Sequence, residues 1–382
     1  MNKRNILPEG TRDLVLNECE IKRHLEKSID DLFSNWGYRE VITPTLEFYE
    51  TFNYYPESLK EEEVYKFFDN KGRILVLRPD MTIPIARLVS TKLKGEALPI
   101  RIRYISKVFR VHESLGGRRN EYTDCGIELV GSEGIDKDLE ILVLALESLK
   151  KMGLKNFKLE IGNIEFFNSA FNDLNISSEN KENIAKLIEG KNLKNLENFL
   201  KSLDIKEEYR KFFNKLPWMF GNRKVLEEGK KLAFNKDLLK GISYLEELYV
   251  QLEELGYKDN ITFDLGMVPK LNYYTGIIFR GYGEDIGDSI LAGGRYNKLI
   301  KSYGVDLPAI GFSIDVDLVV INNIDNNETI QKNRDLYKFF YGNKDMVQAI
   351  KESEELRKQG KVVELFYDEE LSEFKIVKCG GR

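Results

Sequence analysis

Apolar residues recur every three or four positions through residues 17–36, at Ile21, Leu25, Ile29, Leu32, Phe33 and Trp36. This spacing sets them on one stripe of an amphipathic helix, with Gly37 as its stop. Residues 38–44 read as a short extended segment. Pro44 has no N–H for a ladder bond, which puts the segment at an edge or an interface. Residues 65–68 and 73–78 read as a hairpin that turns at Asp69-Asn70-Lys71-Gly72. Asp80 or Thr82 is placed to cap the next helix, which runs toward Lys92 with Pro84 in its first turn. The period then changes to two. Residues 101–110 and 121–131 read as strands, and the second sets Tyr122, Asp124, Gly126 and Glu128 on one face against Thr123, Cys125, Ile127 and Leu129. Two acids on one face with apolar groups behind describe either a pocket floor or a solvated sheet face.

Beyond that strand, residues 135–152 form a Leu- and Ile-rich helix and residues 157–161 a strand. Residues 166–255 are mostly helical and rich in Lys, Glu and Asn, which reads as an insertion rather than part of the sheet. Strand signals return at 261–265, 273–282, 289–292 and 309–314. Several antiparallel strands with helices make the chain α+β rather than alternating β-α-β. Residues 322–334, polar and Asn-rich, read as a linker between a domain over 1–321 and a small α/β unit over 335–382. In that unit a strand (336–341), a helix (345–359) stopped by Gly360 and two strands (361–367, 374–377) follow one another, too few residues for much stability alone.

The bulk numbers narrow the function. With 382 residues, 42% hydrophobic and 32% charged, the chain is an ordinary globular protein with room for a large core. No run approaches the roughly 20 apolar residues of a membrane span, and residues 1–10 contain no apolar signal core. Cys19, Cys125 and Cys379 are widely spaced, match no metal pattern and suit a reducing cytoplasm. The formal net charge of −5 gives no support to binding a polyanion such as tRNA. The two histidines, His24 and His112, are too few for a zinc site or a triad on their own.

Several ordered motifs carry a family resemblance over roughly residues 6–320. They are Leu7-Pro8-Glu9-Gly10-Thr11-Arg12-Asp13; the helix and strand up to Pro44; Arg78-Pro79-Asp80-Met81-Thr82; Val108-Phe109-Arg110 with the loop through Gly117-Arg118 and Glu121-Tyr122-Thr123-Asp124; Leu271-Asn272-Tyr273-Tyr274-Thr275-Gly276; and Ala292-Gly293-Gly294-Arg295-Tyr296. In this order they resemble the class II aminoacyl-tRNA synthetases of the histidyl branch, and most closely their non-synthetase paralogue, the regulatory subunit of ATP phosphoribosyltransferase. The resemblance implies an antiparallel class II sheet flanked by helices, with a dimer interface at the helix and strand that end at Pro44.

The resemblance also implies a histidine-binding set: Asp80, Thr82, Arg110, Asp124, Glu128, Tyr273 and Tyr274. The chemistry suits free histidine. Asp80 and Thr82 can accept from an ammonium, Glu128 and the tyrosine hydroxyls can hold two imidazole nitrogens, and Arg110 suits a carboxylate or phosphate oxygen. The Gly293-Gly294 pair lets a ligand approach the backbone. Read from the residues alone, Tyr273 and Tyr274 are equally packing residues of a strand, and Gly293-Gly294 a turn or bulge.

Four positions depart from the synthetase pattern. Pro269 stands where the resemblance puts a catalytic arginine, Asn272 where it puts Asp, Asp124 where it puts Gln, and Leu318 where it puts the ATP-binding arginine. Two arginines lost at about 1.5–3 kcal/mol each correspond to roughly 10²- to 10⁴-fold in rate. The segment after Leu318 is also short for an anticodon-binding domain. The expected role is therefore a non-catalytic partner of the short-form ATP phosphoribosyltransferase catalytic subunit in histidine biosynthesis. It would carry feedback by L-histidine, held in this pocket or where the two subunits meet, with no cofactor, metal or tRNA. An active histidyl-type ligase is the alternative.

Overall fold

The computed structural model describes residues 6–52, 61–112, 119–172, 174–268, 273–325, 335–342, 345–371 and 374–379. Pro269, Leu271, Asn272 and the loop through Gly117 and Arg118 lie outside them. The chain divides into two compact units, residues 1–324 and 325–382.

The first unit opens with α1 (Asn17–Asn35), β1 (Arg39–Glu40), β2 (Leu46–Phe48), α2 (Tyr49–Phe52), β3 (Lys66–Phe68), β4 (Ile74–Leu77), α3 (Thr82–Thr91), β5 (Ile100–Phe109), β6 (Glu121–Val130) and α4 (Ile135–Lys151). In α1 the apolar stripe is buried at Ile21, Leu25, Ile29 and Phe33, each worth about 1.5–3 kcal/mol. Trp36 departs from it. The helix ends at Asn35, so Trp36 becomes the cap, stays exposed and donates its indole N–H to Glu147 at 3.2 Å. Of the extended stretch after it only Arg39 and Glu40 pair, in parallel with β5. Thr43 and Pro44 are held by Arg78 instead, whose guanidinium donates to Thr43 O (2.8 Å) and Pro44 O (3.3 Å). The hairpin forms as β3 and β4. Asp69 Oδ1 accepts from Lys71 N (2.8 Å) and Arg73 N (2.9 Å), and Gly72 sits at φ 76°.

The unit continues with β7 (Lys158–Asn163), α5 (Ile164–Ser169), α6 (Ser178–Glu189), α7 (Leu193–Ser202), α8 (Glu207–Lys215), β8 (Phe220–Gly221), α9 (Lys224–Leu232) and α10 (Lys236–Glu254). The insertion is helical, with one correction: Phe220 and Gly221 pair with Asp264 and Phe263, so the insertion adds an edge strand to the sheet. Then come β9 (Ile261–Asp264), β10 (Ile277–Tyr282), β11 (Leu291–Arg295), α11 (Leu299–Ser302), β12 (Ala309–Asp315) and α12 (Val316–Asp325). Two strand limits differ from expectation. β10 begins at Ile277, so Tyr273 and Tyr274 precede it. β11 runs through Gly293 and Gly294, which are therefore strand interior and neither turn nor bulge. α12 also occupies the first positions of the Asn-rich stretch expected as linker.

The main sheet has nine strands in the order β1-β5-β6-β12-β11-β10-β7-β9-β8, antiparallel except for β1 with β5 and β7 with β9. β6 lies inside it, paired with β5 and β12. Cys125, Ile127 and Leu129 are fully buried, on the face that α1 packs against. The second unit pairs β13 (Leu336–Tyr341) with β14 (Val362–Tyr367) in parallel and with β15 (Lys375–Cys379) antiparallel, beside α13 (Met346–Lys358).

Candidate functional site

The other face of β6 is a pocket floor. Asp124 and Glu128 are 6% and 1% exposed, which excludes a solvated sheet face. They line a cavity of about 730 Å³. Strand register explains why a cavity forms here. Glu128 lies beside Gly311 on β12, and Gly311 beside Gly294 on β11. A Cβ at Gly311 would fall 1.8 Å from Glu128 Oε2, and one at Gly294 2.8 Å from the Tyr274 ring. The two glycines thus make room for the carboxylate and the ring. Two residues along, Tyr104, Gly126 and Ser313 form the next row. The Tyr104 hydroxyl lies over Gly126, 2.3 Å from where a Cβ would stand. A glycine inside a strand marks such a close approach.

All seven residues expected from the sequence line this cavity. Asp80 precedes α3, whose N-cap position is Met81, and accepts from Ile83 N in the first turn at 2.9 Å. Thr82 is occupied differently, donating to Glu128 Oε1 at 3.0 Å. Glu128 Oε2 accepts from the Tyr296 hydroxyl. Burial pushes Glu128 up to about 8 against those two hydrogen bonds, which favour the anion. Tyr273 and Tyr274 stand 4.9 Å apart, ring to ring, and Tyr273 packs edge-on to Tyr296 at 6.0 Å. This end of the cavity combines tyrosine faces with carboxylate acceptors, which suits a ring bearing N–H donors.

The other end is acidic. Asp124 lies directly opposite Asp315 across β6 and β12. Like charges so placed destabilise each other. Burial first, then Asp315, push Asp124 up to about 8, although Arg110 and a hydrogen bond with Ser313 oppose the shift. Asp315 rises to about 6 through burial, with Arg119 opposing. Arg119 donates to both Asp315 oxygens at 3.2 and 3.3 Å and lies 3.9 Å from Asp317. Asp317 in turn takes Lys22 Nζ (2.6 Å) and Thr123 N (2.7 Å), which joins the pocket wall to α1. Arg110 donates to Pro79 O at 2.9 Å with Tyr122, Asp80 and Asp124 nearby. Leu318 closes this end.

Sequence reasoning missed Tyr104, Tyr296, Arg119, Ser313 and Asp315. Two signals were present: Gly126 within a strand, and Tyr296 alternating with Gly294. Arg295 of the same motif does not line the cavity. It is buried against Asp138 of α4 at 2.8 Å, and Asp138 also accepts from Tyr244 at 2.6 Å. Among the described residues no three His, Cys, Asp or Glu side chains are grouped to hold a metal ion, and no helix is long and apolar enough to cross a membrane.

The family model for histidyl-tRNA synthetase matches residues 10–319. An ATP phosphoribosyltransferase regulatory subunit from Clostridium acetobutylicum is 39% identical over 98% of this chain and 93% of its own length. One from Caldanaerobacter subterraneus subsp. tengcongensis is 41% identical over 94% of each. The crystal structure of an ATP phosphoribosyltransferase regulatory subunit/histidyl-tRNA synthetase from Bacillus halodurans superposes with a TM-score of 0.85, at 29% identity, over 97% of this chain and 94% of that one. The chain therefore belongs to the ATP phosphoribosyltransferase regulatory subunits, within the histidyl-tRNA synthetase family and its class II fold.

Proposed function

We propose that this chain is a non-catalytic subunit that assembles with a short-form ATP phosphoribosyltransferase catalytic subunit in the cytoplasm. It switches on the first step of histidine biosynthesis and transmits feedback by L-histidine. A dimer formed through α1 and the segment up to Pro44 is the assembly unit of this reading.

The charge balance of the cavity is the observation that carries the absence of chemistry. Amino-acid activation needs cationic groups free to meet a triphosphate and its charge as it develops. Among the described residues, Arg119 is held by Asp315 through Nη2 while its Nη1 is buried without a hydrogen-bond partner, Arg110 is surrounded by Asp80 and Asp124, and Leu318 adds no charge. Four acidic side chains (Asp80, Asp124, Glu128 and Asp315) face the same space; burial raises all four, Asp124 and Glu128 to about 8, so their repulsion of phosphates grows as pH rises. Feedback needs no bond-making residue in this chain. It needs histidine to favour one state of the assembly over another, typically by about 1–3 kcal/mol.

The ligase reading makes a separate claim: histidine-dependent ATP–pyrophosphate exchange by the purified chain. Exchange at background level supports the regulatory reading. Exchange well above background replaces it.

A further inference from the structure

A second cavity, of about 180 Å³, opens between α1, the strands β5 and β6 and the segment that precedes α1. Five basic side chains line it, Arg12, Lys22, Arg23, Lys107 and Arg119, against two acids, Glu121 and Asp317. Lys22, largely buried, is held by Thr123 and Asp317, both at 2.6 Å. Arg119 is shared with the first cavity. Its Nη2 serves Asp315, whereas Nη1 stands 3.9 Å from Asp317, buried and without a hydrogen-bond partner among the described residues. A buried cationic donor without an acceptor is costly, and an incoming oxyanion removes that cost. At the rim, Arg12 has only the Glu18 carboxylate at 3.9 Å, while Arg23 pairs with Glu26 and Lys107 with Glu121. The Arg23 and Lys107 side chains are 82% and 61% exposed. Ion pairs so exposed are weak, and another carboxylate can share their cations. One wall is Leu14, from which the chain runs on to Val15 and Leu16, 58% and 86% exposed. Leu16 stands at φ 44°, in a turn closed by Glu18 N donating to Val15 O at 2.9 Å. That backbone favours glycine, so this leucine is strained as well as open to water. A free inorganic anion has no use for apolar side chains beside its site; a protein segment does.

We propose that this second cavity and its rim receive an acidic segment of the catalytic partner, one carboxylate entering between Arg12 and Arg119 while Val15 and Leu16 pack against the partner's apolar side chains. This rests on the reading that the chain assembles with a catalytic subunit. Arg23 and Lys107 steer and orient the segment from the rim. Because Arg119 also holds Asp315 in the wall of the first cavity, docking and the first cavity share one side chain.

The test uses the full chain, a short-form catalytic subunit and two readouts. Cys19 is exposed in the cavity wall and reports coverage: its alkylation by iodoacetamide is followed by peptide mass spectrometry with and without the partner. Affinity for the partner is measured by calorimetry for the wild type, Arg12→Glu and Lys107→Glu. The expected result is severalfold slower alkylation of Cys19 in the complex. Each reversal should weaken the complex by about tenfold or more, and salt should weaken the wild-type complex. Cys19 alkylated as fast in the complex as in the free chain, or variants that bind like the wild type, overturn the proposal. The labelling decides the matter even if a variant fails to fold. Protection of Cys19 that appears with rising concentration of the chain alone assigns the surface to a second copy and also overturns it. A chain that binds and activates its partner with Cys19 unprotected keeps the regulatory reading and loses this one; a chain that binds no catalytic subunit loses both.

Discussion

Replacing Asp124 with Asn should change how stability depends on pH. In the folded chain Asp124 titrates at about 8, because it is buried and faces Asp315; in an unfolded chain an Asp titrates near 3.9. Between those values the folded state holds a proton that the unfolded state has lost. The folded state therefore binds more protons, and stability falls as pH rises through the folded value. From pH 6 to pH 9 the loss from this one group is about 2.7 kcal/mol, two units at about 1.36 kcal/mol each. Glu128, also at about 8, adds a similar loss. Asp124→Asn removes the first contribution and roughly halves the slope; Asp124→Asn with Glu128→Gln nearly flattens it. The assay is the urea midpoint of the wild type and both variants at half-unit steps from pH 5.5 to 9. Parallel slopes for wild type and Asp124→Asn would refute the reasoning, because they would mean that Asp124 titrates alike in both states.

Three further outcomes follow from packing. Arg295→Met leaves the carboxylate of Asp138 (1% exposed) without its cation, and thermal or urea unfolding should show a loss of about 3–5 kcal/mol. Tyr244→Phe removes one hydrogen bond to the same carboxylate and should cost about 1.5–3 kcal/mol in the same assay. Gly311→Ala drives a methyl into Glu128 Oε2 at 1.8 Å and Ile127 O at 2.3 Å, so the floor must shift; we expect a loss of about 1–3 kcal/mol or more in urea unfolding.

The elements with strong periods were readable from the chain alone. α1 shows its stripe because a surface helix buries one face, and β6 shows its alternation because its two faces meet different surroundings: the apolar core behind, the cavity in front. The hairpin at Asp69 was readable because its turn depends on local Asp and Gly chemistry. Where tertiary contacts decide, the reading ran short. Trp36 continues the period of α1 but falls past its last turn. Gly293 and Gly294 look like a turn, yet stay in β11 because Phe312 and Tyr274 occupy the space their side chains would need. The pocket acids could be found through motif order, but their pairing could not. That Thr82 and Tyr296 both serve Glu128, and that Asp315 stands opposite Asp124, depends on strand register and on a helix start 46 residues upstream. Arg295 shares its motif with Tyr296, yet it holds α4 through Asp138 and does not line the cavity, which motif order alone does not reveal.

The most direct test of the central claim is phosphoribosyl-ATP formation by a short-form catalytic subunit from the same source, with and without this chain, across a titration of L-histidine. The account predicts little activity from the catalytic subunit alone, activity on adding this chain, and suppression of that activity by histidine. An intact catalytic subunit whose rate is the same with and without this chain contradicts it.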